Sequence, residues 1–303
     1  MSRGQDVLAR MKGPVVPINL CFNVDGTPDY PSIARYVDWL ADEGTPILML
    51  TAGSSEFASL SDDEIWRLTA VVAEANQGRA VFIASSGLWK PSVTREFLVH
   101  ADRVGADAVK LQFSSWLTLS HEVVVRYFDL VQDAADVPML LLSGPNFPLD
   151  AAIELAARPN MIGIKNDGHP FYDYYELMRG TADEDFGVIS GGQMRNFMFG
   201  YPLGSPAYLC PIAPIRPRLA NEFYDHVAAG RTDEAWAFVF KYEDPWLRWA
   251  SSQNWLASLK AAIHLQGLYP NNLLGHAYPH PAPDVVDKVR DKLIEVFGSA
   301  TVE

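Results

Sequence analysis

Lys165 closes the apolar run Met161-Ile-Gly-Ile and is followed by Asn166 and Asp167. A lysine held among apolar walls has its ammonium form disfavoured by desolvation, so its amine becomes nucleophilic near neutral pH. Condensed with a ketone, such an amine gives an iminium ion that acts as an electron sink. That permits cleavage of the adjacent C–C bond, or proton loss followed by departure of a hydroxyl. The same position also suits a lysine that snorkels to solvent or pairs with Asp167. Lys110, inside Ala108-Val-Lys-Leu-Gln-Phe113, is the rival nucleophile. A charge inside a strand is costly unless paired, and its depth below the strand end favours a structural or supporting role. Lys90 follows an apolar run and reads as a solvent-facing loop residue.

Other polar groups stand at the ends of apolar runs. Gly53-Ser54-Ser55 would offer backbone N–H groups and two hydroxyls, the converging donors a carboxylate needs. An ordinary polar turn is the alternative, with Glu56 bracing the loop by accepting backbone hydrogen bonds. Gly191-Gly192 lets the backbone come close to a ligand, and Ser143 and Gln193 are placed to contact the rest of a substrate.

These residues need a frame. From residue 14 to about 230 an apolar run alternates with a helical pattern. The strand candidates are Val15–Leu20, Ile47–Thr51, Ala80–Ser85, Ala108–Phe113, Pro138–Leu142, Met161–Lys165, Gly187–Ser190 and Ala207–Cys210. They are near-continuously apolar, as parallel strands covered on both faces are. Ser61-Asp-Asp-Glu64 is a capping box, and Pro91 marks a first helical turn. Eight strand–helix units in about 215 residues predict a (β/α)8 TIM barrel, with chemistry at the carboxyl ends of the strands. A doubly wound sheet would bring a glycine-rich nucleotide loop after its first strand, and Cys21-Phe-Asn-Val-Asp-Gly26 is not one.

Beyond residue 230 the pattern becomes helical, over Thr232–Tyr242, Pro245–Trp255, Leu256–Gln266 and Pro283–Phe297. The chain therefore divides into a catalytic barrel over 1–230 and a C-terminal helical domain over 231–303. Trp236, Trp246, Trp249 and Trp255 are read as helix–helix or subunit packing rather than a ligand cage. The stretch from Tyr269 to Pro281 reads as an ordered surface crossing; its His276 and His280 lack nearby carboxylate or cysteine partners for a metal.

Composition sets limits. The chain has 303 residues, 49% apolar and 20% charged, enough for a large core. A net charge of -13 argues against nucleic acid or an anionic membrane as partner. No apolar run approaches the ~20 residues needed to span a bilayer, and the first ten residues do not read as a signal peptide. Cys21 and Cys210 fit buried thiols, so a cytoplasmic location is expected.

In order and spacing these segments resemble the dihydrodipicolinate synthase / N-acetylneuraminate lyase family of class I, pyruvate-type lyases, over nearly the whole chain. Ala52-Gly-Ser-Ser-Glu-Phe-Ala-Ser-Leu60 looks like the family's Gly-Thr-Thr-Gly-Glu loop, and Gly105-Ala-Asp-Ala-Val109 like its entry to the fourth strand. Gly163-Ile-Lys165 resembles its Schiff-base strand, Ser190-Gly-Gly192 its strand-seven turn, and Leu256–Leu268 its C-terminal helical stretch with Lys260. The resemblance implies an imine between Lys165 and a 2-keto acid, a carboxylate site around Gly53 and Ser54, and a homo-oligomer, commonly a tetramer. It selects Lys165 over Lys110 as the nucleophile.

The departures from the family pattern are specific. Its strand-five tyrosine, a proton relay, is matched by Leu142 in Leu142-Ser-Gly-Pro145, and its tyrosine pair after strand four by Ser115-Trp116. The arginine of dihydrodipicolinate synthases is missing from Asn146-Phe-Pro148. A leucine moves no protons, so lysine biosynthesis is not the expected role, and His169, Asp167, Ser143 and Ser54 are the candidate replacements. The expected function is a Schiff-base lyase for aldol cleavage or condensation of pyruvate or a related 2-keto acid, with no metal or organic cofactor. The alternatives are a dehydratase of a 2-keto-3-deoxy sugar acid and a keto-acid-binding protein with little turnover.

Overall fold

The computed structural model describes residues 1–113, 119–144, 146–167 and 171–299. Ser115, Trp116, Pro145 and His169, named above, lie outside them. In chain order the first elements are α1 (Arg3–Arg10), β1 (Gly13–Pro17), α2 (Tyr30–Asp42), β2 (Ile47–Met49), α3 (Asp62–Asn76), β3 (Val81–Ser85), α4 (Pro91–Val104) and β4 (Ala108–Leu111). There follow α5 (His121–Val131), β5 (Met139–Ser143), α6 (Leu149–Ala156), β6 (Met161–Asn166), α7 (Phe171–Gly180), β7 (Gly187–Ser190), α8 (Gln193–Gly200) and β8 (Ala207–Leu209). The last are α9 (Pro217–Ala228), α10 (Thr232–Phe238), α11 (Asp244–Gln253), α12 (Trp255–His264) and α13 (Val285–Phe297).

The eight strands close a parallel barrel in sequential order, the predicted fold. By internal contacts the chain forms two compact units. One comprises Met1–Val15, Pro46–Met49 and Gly78–Leu209; the other comprises Val16–Thr45, Leu50–Gln77 and Cys210–Glu303. The predicted boundary at residue 230 falls within the second unit, between α9 and α10.

In the first unit, Val7 and Met11 of α1 join Val15, Ile47, Met49, Val81, Ile83, Ala108, Leu140, Ile162, Ile189 and Ala207 in one buried cluster. These strand residues fill the barrel interior. Burying Val7 and Met11 contributes about 1.5–3 kcal/mol each, so the short α1 is held by its apolar face. Ser2 caps it with a complete capping box.

Alternation along a strand assigns the inward faces. Ala108 faces in, and so therefore does Lys110 two residues on; Val81 and Ile83 bring Ser85 inward with them. On β6 the alternation is interrupted. The register of β5 against β6 shifts between Met139 and Leu140, so that Leu140 pairs with Gly163 and Leu142 with Lys165. The shift resets the phase: Ile162 faces the interior and so does Lys165, which also pairs with inward-facing Ile189 on β7.

In the second unit, Ser61 and Glu64 form the predicted capping box at the start of α3. Helix α10 passes through a π-helical turn at Val239–Glu243 into α11, where Pro245 occupies the first turn. Proline has no N–H to donate, and the break in pattern read at Pro245 is this widened turn. Trp246 is buried, with Trp249 at 6.0 Å and Phe297 at 6.2 Å between ring centroids, which is the packing role expected of it. Cys21 and Cys210 are buried and neither forms a disulfide. Among the described residues no helix is long and apolar enough to cross a membrane.

Candidate active site

The end of β6 carries the densest set of predicted residues. Lys165 is only 5% exposed, and its Nζ is ion-paired with the Asp167 carboxylate, which is 37% exposed. The pairing with Asp167 read from the sequence is thus present, and the lysine is buried at the strand end. The carboxylate holds the ammonium in the interior while exposing its own far side.

Ser143 secures this arrangement from β5. Its hydroxyl is buried, lies 3.2 Å from the Lys165 carbonyl and 3.3 Å from Asn166 Oδ1, and accepts the Asp167 N–H at 3.2 Å. Predicted as a substrate contact, it is placed as a clamp between β5 and the residues either side of Asn166. Gly191 has a related part. Its N–H donates to the Asn166 carbonyl at 2.9 Å, and a Cβ there would collide with that carbonyl and with the Asp167 carboxylate. Gly163 likewise has no room for a side chain against the Gly187 carbonyl. We predict that Gly191→Ala destabilises the protein by about 1–3 kcal/mol, read as a lowered urea midpoint; an unchanged midpoint would show that the approach is loose. Gln193 begins α8 at φ 66, a left-handed backbone unusual for a residue with a Cβ, and its Oε1 receives a 3.4 Å contact from Arg195.

Lys110 lies on β4 at the level of Leu140 and Gly163, two residues below Lys165. It is 1% exposed and has no ion-pair or hydrogen-bond partner among the described residues. Burial pushes its ammonium down to about 7, helped by the positive charge of Lys165 and opposed by Asp167. Beside it in register is Ser85, whose buried hydroxyl also has no partner. Its neighbour Ser86, by contrast, donates its N–H to the Lys110 carbonyl and is bonded to Gln112. The sequence marked Lys110 by its charge in an apolar strand; nothing in it showed that a bare hydroxyl stands alongside.

The predicted carboxylate loop belongs to the second unit. Thr51 Oγ1 accepts the Ser54 N–H at 3.1 Å, and the Ser54 carbonyl accepts from Asn19 at 3.3 Å. Ser55 donates its N–H to the Thr51 carbonyl and its hydroxyl to the Ile18 carbonyl at 2.6 Å. Both its donors are thus spent, which leaves none for a carboxylate. Gly53 is exposed and Ser54 half-exposed. Glu56 is fully buried at φ 50, accepts the Gly275 N–H at 2.7 Å and pairs at 2.8 Å with Lys260 of α12. Lys260 also donates to the Leu20 carbonyl and lies 4.7 Å from the Phe22 ring centroid. Glu56 is the brace expected of it; that Lys260 completes the brace is a contact across 204 residues that the sequence does not show.

The carboxyl ends of the strands are where enzymes of this fold carry their catalytic groups, and a buried lysine there is placed to act as an amine nucleophile. The model of the Dihydrodipicolinate synthetase family matches residues 10–292, and the chain belongs to that family, whose members are class I, lysine-imine lyases. It is 24% identical to an uncharacterized DapA-like lyase of Thermococcus kodakarensis, over 95% of this chain and 100% of the other. It is 28% identical to 4-hydroxy-tetrahydrodipicolinate synthase of Sphingopyxis alaskensis, over 70% and 74%. The crystal structure of dihydrodipicolinate synthase from Thermotoga maritima superposes with a TM-score of 0.86 at 20% identity, covering 97% and 100%, which bears on the fold.

Proposed function

We propose that this enzyme is a Schiff-base lyase for pyruvate or a related 2-keto acid, running an aldol cleavage or condensation through an imine on Lys165. The observation that carries the reading is the inward, carboxylate-held Lys165 at the end of β6 in a chain of this family. The amine attacks the keto carbon, water leaves, and the iminium accepts the electron pair of the breaking C–C bond. Ser143 and Gly191 fix Lys165 and Asp167, and Gln193 contacts the remainder of the substrate. Leu142 stands directly beside Lys165 in the β5–β6 register, at the position of the family's tyrosine, so this site cannot use a phenol there. For that reason the substrate is not assigned as that of the 4-hydroxy-tetrahydrodipicolinate synthases. We also propose self-association, for which exposed Phe171, Tyr172 and Phe199 offer an apolar face in the first unit.

Borohydride quenching in the presence of pyruvate, followed by peptide mass spectrometry, tests the reading. The expected result is a reduced adduct on Lys165 that is absent from Lys165→Met, with turnover of any productive aldehyde falling by about 10³-fold or more. Pyruvate and a panel of longer 2-keto acids leaving Lys165 unlabelled would remove the imine from consideration.

A further inference from the structure

The barrel interior contains a second lysine that the imine chemistry leaves without a task. Lys110 is on the inward face of β4, at the same level as Leu140 of β5 and Gly163 of β6. Lys165 stands two residues higher on β6, a step of about 6.6 Å along a strand, with β5 between the two strands setting them roughly 9–10 Å apart across the sheet. Both side chains point into the same barrel interior and each acts electrostatically on the site of the other. Apolar residues of the interior cluster lie beneath, among them Ile83, Ala108 and Ile162. The charged groups acting on Lys110 are Lys165 and Asp167, and its register partners on the flanking strands, Ser85 and Leu140, carry no charge.

Ser85 Oγ, buried and without a hydrogen-bond partner among the described residues, thus lies beside the buried Lys110 in register, beneath the imine position. Burying polar groups unpaired is destabilising, and folds retain such groups at functional positions. Above them, Lys165 is held in an ion pair with Asp167, and an ammonium is not a nucleophile. The site needs an acceptor for one Lys165 proton, and the phenol found elsewhere in the family is replaced by Leu142.

We propose that Lys110, with Ser85 beside it, is the proton acceptor that frees the Lys165 amine for imine formation. This rests on the lysine-imine reading given above. Lys110 acts through Lys165 and is therefore a positioning residue, one that positions a proton. In the first step Lys165–NH3+ and Lys110–NH2 exchange a proton to give Lys165–NH2 and Lys110–NH3+. The free amine attacks the keto carbon; a C–N bond forms, the carbonyl π pair moves to oxygen, and the proton released from nitrogen is taken up there, giving a neutral carbinolamine. The C–O bond then breaks, the hydroxyl leaving as water with the proton returned from Lys110–NH3+, and the nitrogen lone pair completes the iminium. One positive charge enters and one remains, on the iminium, and Lys110 is again a neutral amine. A barrel-interior lysine with burial holding it near pH 7 is suited to this exchange at neutral pH.

The experiment is the rate of adduct formation with pyruvate, followed by timed borohydride quench and peptide mapping from pH 6 to 9.5, on wild type, Lys110→Met and Lys110→Arg. In wild type the Lys165 adduct is expected to form at a rate that rises through pH 7 and levels off. In Lys110→Met the rate at pH 7 is expected to fall at least tenfold and its rise to move up by a pH unit or more, approaching wild type at pH 9.5. Lys110→Arg places a permanent cation there that accepts no proton, and is expected to be slow at pH 7 as well. Ser85→Ala is expected to lower the rate without moving the profile. A Lys110→Met profile that superimposes on wild type overturns the proposal, as does labelling of Lys110 itself or full neutral-pH activity in Lys110→Arg. Absence of any wild-type adduct instead overturns the imine reading, so the two failures are distinct. Far-UV circular dichroism and the urea midpoint confirm that each variant is folded, and a loss that is equal at every pH counts against the proposal.

Discussion

Lys260→Met is expected to lower the stability of the enzyme by about 3–5 kcal/mol, the cost typical of removing one member of a fully buried ion pair. Both Lys260 and Glu56 are fully buried. Desolvation holds the Lys260 ammonium below its ordinary value, and the Glu56 carboxylate opposes that effect. Methionine fills most of the lysine's volume, so packing changes little and the loss is electrostatic. Glu56 would keep the Gly275 N–H at 2.7 Å but face the interior with a charge no longer compensated. Leu20 would also lose a donor to its carbonyl. Glu56→Gln should cost less, because the amide oxygen can still accept from Gly275. The double variant Lys260→Met/Glu56→Gln should be more stable than Lys260→Met alone, giving a coupling energy of about 2 kcal/mol or more. Urea unfolding of the four proteins at pH 7 measures the cycle, and additivity within about 0.5 kcal/mol would show that the two side chains do not depend on each other.

Contacts of that kind are made by the fold and leave no local pattern in the sequence. The barrel was legible because parallel strands buried on both faces read as continuous apolar runs, and because Ser61 and Pro91 punctuate helices by local hydrogen bonding and φ alone. Strand ends were less so. The apolar run Val15–Leu20 predicts strand throughout, whereas β1 ends at Pro17, which cannot donate to a ladder. The run Ile47–Thr51 predicts strand as far as Thr51, whose N–H and hydroxyl instead turn to Ser55 and Ser54.

At the site, residue types were legible but directions were not. Strict alternation from Ile162 would send Lys165 away from the interior; it faces inward only because β6 slips against β5 at Leu140. A register shift is a property of two strands, and no pattern within one of them encodes it. The same holds for Ser55 and Ser143. Each is a hydroxyl at a strand end, hence a plausible ligand contact, and each is bonded to backbone brought alongside by the fold, Ile18 for one and Lys165 for the other. Lys110 was visible as a charge in an apolar strand, but its effect depends on Ser85, Lys165 and Asp167, which come from other strands.

Lys110→Met is expected to make the enzyme more stable at neutral pH while impairing it. The ordinary lysine value of 10.5 applies in the unfolded chain, against about 7 in the fold. Between those values the unfolded chain binds more protons than the native one, so the Lys110 contribution to stability rises with pH and is lost as pH falls toward 7. At pH 7 the buried lysine therefore costs on the order of 4 kcal/mol relative to high pH, and at pH 9.5 on the order of 1 kcal/mol. Methionine removes this dependence and fills the space with an apolar chain. The variant should exceed wild type in urea by about 3 kcal/mol more at pH 7 than at pH 9.5. Buried Tyr36 and Tyr269, whose hydroxyls burial raises well above the ordinary tyrosine range, titrate alike in both proteins and cancel in the difference. An offset that is the same at both pH values would mean that Lys110 is not held neutral by burial, and the proton-acceptor proposal would lose its chemical basis even if the rates had fallen. Stability that increases as neutral-pH imine formation slows is the pairing expected of a residue retained for chemistry at the expense of the fold.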